Sequence, residues 1–172
     1  AFAINPATGA LTVLTPSVLN HEETPTYTLT ILVEDNGTNT LQDTEDVTIN
    51  VIDVNESPLI TNQAFSIVEN SVNTTVVGSV VASDVDAEQA LTYSIIGGNT
   101  DTTFAIDAVT GVITVRNATY LDHETNPVFY LLVKVTDDGE GLLSAIATVT
   151  ITVTDVAEGG STDPVIADQT FS

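Results

Sequence analysis

The sequence has no cysteine, no methionine and no tryptophan, and only 2 basic residues against 24 Asp and Glu. Without cysteine there is no disulfide framework, no thiol chemistry and no Cys-ligated metal. With a formal net charge of −22, the chain lacks the basic patch that nucleic acid or an anionic membrane requires. No apolar run reaches the roughly 18 residues of a membrane span. There is also no initiator methionine and no secretory leader, so the chain reads as a segment of a larger protein. What is present is a hydrophobic fraction of 42%. That is enough to bury a core and excludes a disordered acidic tail. The 172 residues suit one large domain or two small ones. So acidic a surface points to bound cations or to adaptation to high salt.

The chain repeats itself. Phe2 to Glu56 aligns without a gap on Phe104 to Glu158, a shift of 104 − 2 = 102. "FAINPATGALTV" answers "FAIDAVTGVITV", and "DVTINVIDVNE" answers "TVTITVTDVAE". About 22 of these positions are identical, and a period this long is domain-sized and exceeds a solenoid turn. Further on, "ITNQAFS" (60–66) answers "IADQTFS" (166–172), four residues later than that shift requires. The organisation expected is therefore the C-terminal part of one repeat (1–57), a complete repeat (58–158), and a linker with the first strand of a third (159–172).

The periodicity is that of strands. Tyr27, Leu29, Ile31 and Val33 alternate with polar neighbours, as do Phe129, Leu131, Val133 and Val135, and Val149, Ile151 and Val153. Val, Ile and Thr enrichment supports strand. Turn signals stand at Asn5-Pro6, Thr8-Gly9, Thr110-Gly111 and Asp138-Gly139. The complete repeat predicts about seven strands, near 64–68, 76–82, 91–96, 102–106, 111–116, 127–136 and 143–155, with no helix. That number and spacing fit an all-β Greek-key sandwich of immunoglobulin type, here in tandem.

Carboxylates fence the central strands. In "YLDHETNPVFYLLVKVTDDGEG" (120–141), Asp122 and Glu124 precede the apolar run and Asp137 and Asp138 follow it. The same arrangement recurs in "VLNHEETPTYTLTILVEDNGTN" (18–39). Together with "VEN" (68–70), "DVD" (84–86) and "DVNESP" (53–58), these motifs in this order resemble cadherin repeats over nearly the whole chain. The resemblance implies Ca2+ bound between consecutive repeats. One end of the strand would then face the preceding repeat and the other end the following one. Carried over residue by residue, the first junction would use Glu22, Asp53, Asn55 and Glu56 from below and Asp84, Asp86 and Asp137 from above, with Asp86 bridging two ions. The second would use Glu69, Asp122, Glu124, Asp155 and Glu158. Six to eight oxygens suit Ca2+. The chain departs from the family pattern at Asn20, Glu56 and Ser57. At the second junction it departs at Ala157 and in an inserted Gly-Gly-Ser. Weaker binding is expected there and beside Asn20.

Other chemistries find little support. His21 and His123 have no second His or any Cys nearby, which disfavours zinc. No nucleophile elbow accompanies them. Paired carboxylates could serve glycoside hydrolysis, but duplication at each domain border argues against catalysis. Scattered acids such as Glu45, Asp46 and Asp101 read as ordinary solvated surface. Asn36, Asn73 and Asn117 begin formal glycosylation sequons. The sole Lys, Lys134, should point outward. The function expected is a non-enzymatic, calcium-rigidified structural and adhesive module of a large extracellular surface protein, in a prokaryotic setting. Its partners would be neighbouring repeats and other copies of itself, through homophilic or filament contacts by strand addition. Adhesion by docking a Trp is excluded. The alternative is a carbohydrate-binding sandwich of an extracellular polysaccharide-binding protein, for which Tyr93, Tyr120 and Tyr130 are the available platforms.

Overall fold

The computed structural model describes residues 1–157. Glu158 and the segment 159–172, with its expected strand, lie outside the described residues. The chain divides into two compact units. Ala1–Glu56 with Val85–Glu88 form the first, and the second begins at Ser57 and includes all other described residues.

In the first unit, β1 (Phe2–Ile4) pairs with β2 (Leu11–Val13), and β3 (Thr26–Glu34) with β4 (Gln42–Asn50), all antiparallel. The β1–β2 turn is held by Asn5, whose Oδ1 accepts from Ala7 and Thr8 N–H at 2.9 and 3.2 Å. Phe2 meets Tyr27 edge to face at 5.1 Å. No residue from 1 to 56 is buried. Phe2, Ile4, Leu11, Tyr27, Leu29 and Ile31 line an open groove of about 370 Å³.

The second unit carries β5 (Leu59–Ile60), β6 (Gln63–Val68), β7 (Val76–Ser79), β8 (Ala82–Ser83), β9 (Thr92–Gly97), β10 (Phe104–Ile106), β11 (Val112–Val115), β12 (Val128–Thr136) and β13 (Ser144–Thr154). One sheet has the order β6-β13-β12-β9 and the other β10-β11-β7, with β5 pairing β8. β6 runs parallel to β13, while the remaining pairs are antiparallel. Among the described residues the only helices are short 3-10 turns at Pro16–Val18, Thr100–Thr102 and Ala118–Tyr120. The fold is all-β, as the periodicity requires. The two-residue β5 was not foreseen, because a pair this short has no measurable alternation.

Burial follows the alternation. Phe129, Leu131, Val133 and Val135 of β12 face inward and pair with Ile151, Val149, Ala147 and Ala145. Phe104 of the facing sheet meets Phe129 edge to face at 5.0 Å. Each such side chain contributes about 1.5–3 kcal/mol when fully buried. The β10–β11 turn is wound on Asp107, whose Oδ1 accepts from Val109 N–H, Thr110 N–H and the Thr110 hydroxyl at 2.8–3.0 Å. Gly111 closes the turn at φ +68°, where a Cβ would lie 2.7 Å from the Val80 carbonyl. Its counterpart Gly9 has φ +70° but nothing within 4 Å.

Candidate metal centre

The carboxylates at the strand ends are presented by local backbone chemistry. In the first unit Asn20 Oδ1 accepts from Glu22 N–H at 2.9 Å, and Asn20 O from Thr24 N–H at 2.9 Å. In the second, Asp122 Oδ1 accepts from Glu124 and Thr125 N–H at 3.0 and 3.2 Å, and its Oδ2 from the Thr125 hydroxyl at 2.8 Å. The loop is the same although its first residue is amide in one copy and acid in the other. An Asx turn needs only an acceptor oxygen. Hydrogen bonding, from the Thr125 hydroxyl above all, holds the Asp122 carboxyl below its usual range.

Within the first unit, Glu22, Asp53, Glu56 and Asp86 each bring a carboxylate oxygen within 4.8 Å of the others. β4 ends by passing Val51, whose N–H donates to Pro25 O at 2.9 Å, and so delivers Asp53 beside the Glu22 turn. Asp86 is only 6% exposed, and its Oδ2 accepts from Glu56 N–H at 2.8 Å. Desolvation, then the charges of Glu22 and Asp86, push the Glu56 carboxyl up. Four carboxylates gathered this closely repel one another unless a cation joins them.

The second unit gathers Glu69, Asp122 and Glu124, with Asp155 beside Glu124. Glu69 is 3% exposed and anchored. Its Oε1 accepts from Val156 N–H at 2.5 Å and its Oε2 from His123 N–H at 3.0 Å. These bonds, Val156 first, pull its carboxyl down. At the opposite strand end Asp137, also 3% exposed, accepts from Gly139 and Leu143 N–H through Oδ1 at 3.2 and 3.0 Å. Asp35 makes the same two bonds, to Gly37 and Leu41, at 3.1 and 3.0 Å. Asp84 is half-buried at the end of β8, and Asn55 is half-buried in the first unit.

Sequence reasoning missed two placements. His21 Nδ1 lies 3.4 Å from both Glu22 and Asp53, and His123 Nδ1 lies 3.5 Å from Glu124. Their repetition at the shift of 102 was the available signal. Asp138 Oδ1 accepts from Ala90 N–H at 2.8 Å, which ties two loops of the second unit together. Of the three tyrosines considered as sugar platforms, Tyr93 is buried and Tyr120 half-buried, while Tyr130 is 62% exposed.

The donor set is oxygen-rich, anionic and hard, which fits Ca2+ better than a thiolate- or imidazole-preferring metal. The Cadherin domain model matches residues 1–52 and 63–154. Protocadherin Fat 4 of Mus musculus is 38% identical over 143 residues, 80% of this chain and 3% of the relative. Protocadherin Fat 1 of Homo sapiens is 33% identical over 177 residues, 99% of this chain and 4% of the relative. The structure of mouse Cadherin-23 EC22-24 is 32% identical and superposes with a TM-score of 0.74, covering 90% of this chain and 50% of that one. The chain thus spans only a few per cent of the curated relatives' length. These relatives are animal proteins, and they do not support the prokaryotic setting drawn from composition. Its grounds, the lack of cysteine and the extreme acidity, do not report origin. The second unit closes its core by apolar packing alone, which needs no disulfide in any organism.

Proposed function

This chain belongs to the cadherin family of extracellular, non-enzymatic adhesion domains, which bind Ca2+ between repeats, and from that premise we propose that it is a calcium-rigidified adhesive and structural module of a large surface protein. The observation that carries this reading is the set of Glu22, Asp53, Glu56 and Asp86 oxygens within 4.8 Å of one another. Ca2+ would supply the positive charge that this set lacks. Glu22 and Asp53 approach from the turn and from the end of β4, Glu56 from the linker, and Asp86 is oriented by Glu56 N–H. By family resemblance Asn55, Asp84 and Asp137 complete the ligands. Glu69, Asp122, Glu124 and Asp155 form the base of a second junction, to which Glu158 would also contribute. Residues 1–57 and 58–158 are then the C-terminal part of one repeat and a complete repeat that follows it. Their partners are neighbouring repeats of the same chain and other copies of it.

Thermal melts in calcium, magnesium and chelator test this. Calcium should raise the midpoint strongly. A ligand at a hundredfold excess over its Kd adds about 2.7 kcal/mol. Magnesium should raise it little, because it sheds water reluctantly. Identical midpoints in all three would leave a salt-adapted surface as the better explanation of the acids.

A further inference from the structure

A donor set of different chemistry sits inside each acidic group. His21, Glu22 and Asp53 in the first unit, and His123, Glu124 and Asp155 in the second, each bring one imidazole nitrogen and two carboxylate oxygens within 4.8 Å of one another. Neighbouring side chains on a strand point to opposite faces. Here a turn over residues 21–23, and again over 123–125, sets each His beside the Glu that follows it. Asn20 and Asp122 wind those turns by accepting from Glu22 and Glu124 N–H. The third residue of each set stands two positions beyond Val51 or Val153, whose N–H groups donate to Pro25 O and Pro127 O, both at 2.9 Å. Both copies therefore build the set in the same way. All three residues recur at the shift of 102, whereas Asn20 becomes Asp122 and Asn55 becomes Ala157.

We propose that each of these triads binds Zn2+ through His Nδ1 and the two carboxylates. What completes each set is a pair of carboxylates, not the second His whose absence spoke against zinc in the sequence. His21 Nδ1 lies 3.4 Å from both Glu22 Oε1 and Asp53 Oδ1, and His123 Nδ1 lies 3.5 Å from Glu124 Oε1. A direct charge-assisted hydrogen bond would close to about 2.7–2.9 Å. The edge of a tetrahedron with arms of about 2.0–2.1 Å to zinc is roughly 3.3–3.4 Å. The nitrogen selects the metal class. Imidazole suits zinc, copper and nickel, whereas calcium takes oxygen ligands. The side chains of His21 and His123 are 36% and 38% exposed, which leaves the ion a path from solvent. Glu22 and Asp53 also belong to the four-carboxylate cluster, so zinc held by His21 takes two ligands from calcium. Zinc binding does not rest on the calcium reading, and only this competition does.

The test is titration of the full chain with zinc chloride, followed by calorimetry and by nitrogen–proton spectra of the two imidazole rings, in calcium-free buffer and again at saturating calcium. Without calcium, one zinc ion should bind at each triad. Both Nδ1 resonances should move to metal-bound positions while Nε2 keeps its proton. His21→Asn and His123→Asn each replace the nitrogen donor by an amide, whose oxygen suits calcium better than zinc. Each should weaken zinc at its own triad at least tenfold, with the melting midpoint and the calcium titration held. Saturating calcium should weaken zinc at the first triad at least tenfold. Zinc that binds through His21 but ignores calcium would support the zinc site and contradict Glu22 and Asp53 as calcium ligands. Imidazole resonances that stay put at saturating zinc would overturn the proposal. So would zinc binding that survives in the double variant, since the metal would then sit on carboxylates alone and the histidines would serve only as ion-pair partners.

Discussion

Glu56 and Glu69 are chemically the same group, driven in opposite directions. Glu69 receives two backbone N–H groups, while Glu56 is desolvated and faces Glu22, Asp86 and Asp53. The consequences for stability have opposite signs. A lowered carboxyl contributes stability that is present above its ordinary value of 4.5 and lost as pH falls through its depressed value. A raised carboxyl contributes stability that is full below 4.5 and lost as pH rises through its elevated value. In chelator, therefore, the first unit should weaken as pH rises above 4.5, and the second as pH falls below it. Carboxyl NMR titration should show Glu56 titrating above the ordinary Glu range and Glu69 below it. Glu22→Gln should bring Glu56 down. If Glu56 titrates normally, the four acids do not cluster in solution.

At the scale of the element, β3 and β12 are near copies with different surroundings. Leu131 is fully buried between two sheets, whereas its counterpart Leu29 lines an open groove. Leu131→Ala should cost about 2–5 kcal/mol, the range for a buried leucine. Leu29→Ala should cost less, since Leu29 is only partly buried and part of its apolar area is already in water. Denaturant melts of the two variants check this, and equal losses would contradict it. These strands were legible because Val, Leu and Ile recur with period two in both copies. The mismatch between their partners was not. Val133 and Val135 face Ala147 and Ala145, whereas Ile31 and Val33 face Glu45 and Asp43. Acids at inward positions belong to a sheet whose inner face meets water, and only the pairing register reveals which way they point.

At the scale of the molecule, 24 acids against 2 basic residues are a liability unless organised. Some of them are gathered in clusters at strand ends, and none lies within a strand of the second unit. The ordered motifs made Glu22, Asp53, Glu56 and Asp86 legible as one group. The positions of His21 and His123, and the division of labour between Asp137 and Asp138, were not legible. Those depend on which way a side chain turns within a loop, and no periodicity encodes that. The central claim is that the first cluster is a calcium site, and Asp86 is its most buried member. Calcium titration calorimetry on wild type, Asp86→Asn and Asp101→Asn tests it most directly. Asp101 is exposed and has φ +52°, a conformation that Asn tolerates, so it controls for loss of one charge. Asp86→Asn should weaken calcium binding at least tenfold, or about 1.4 kcal/mol, while remaining folded, and Asp101→Asn should match wild type. If Asp86→Asn binds as many ions as wild type with the same affinity, the cluster is not the calcium site.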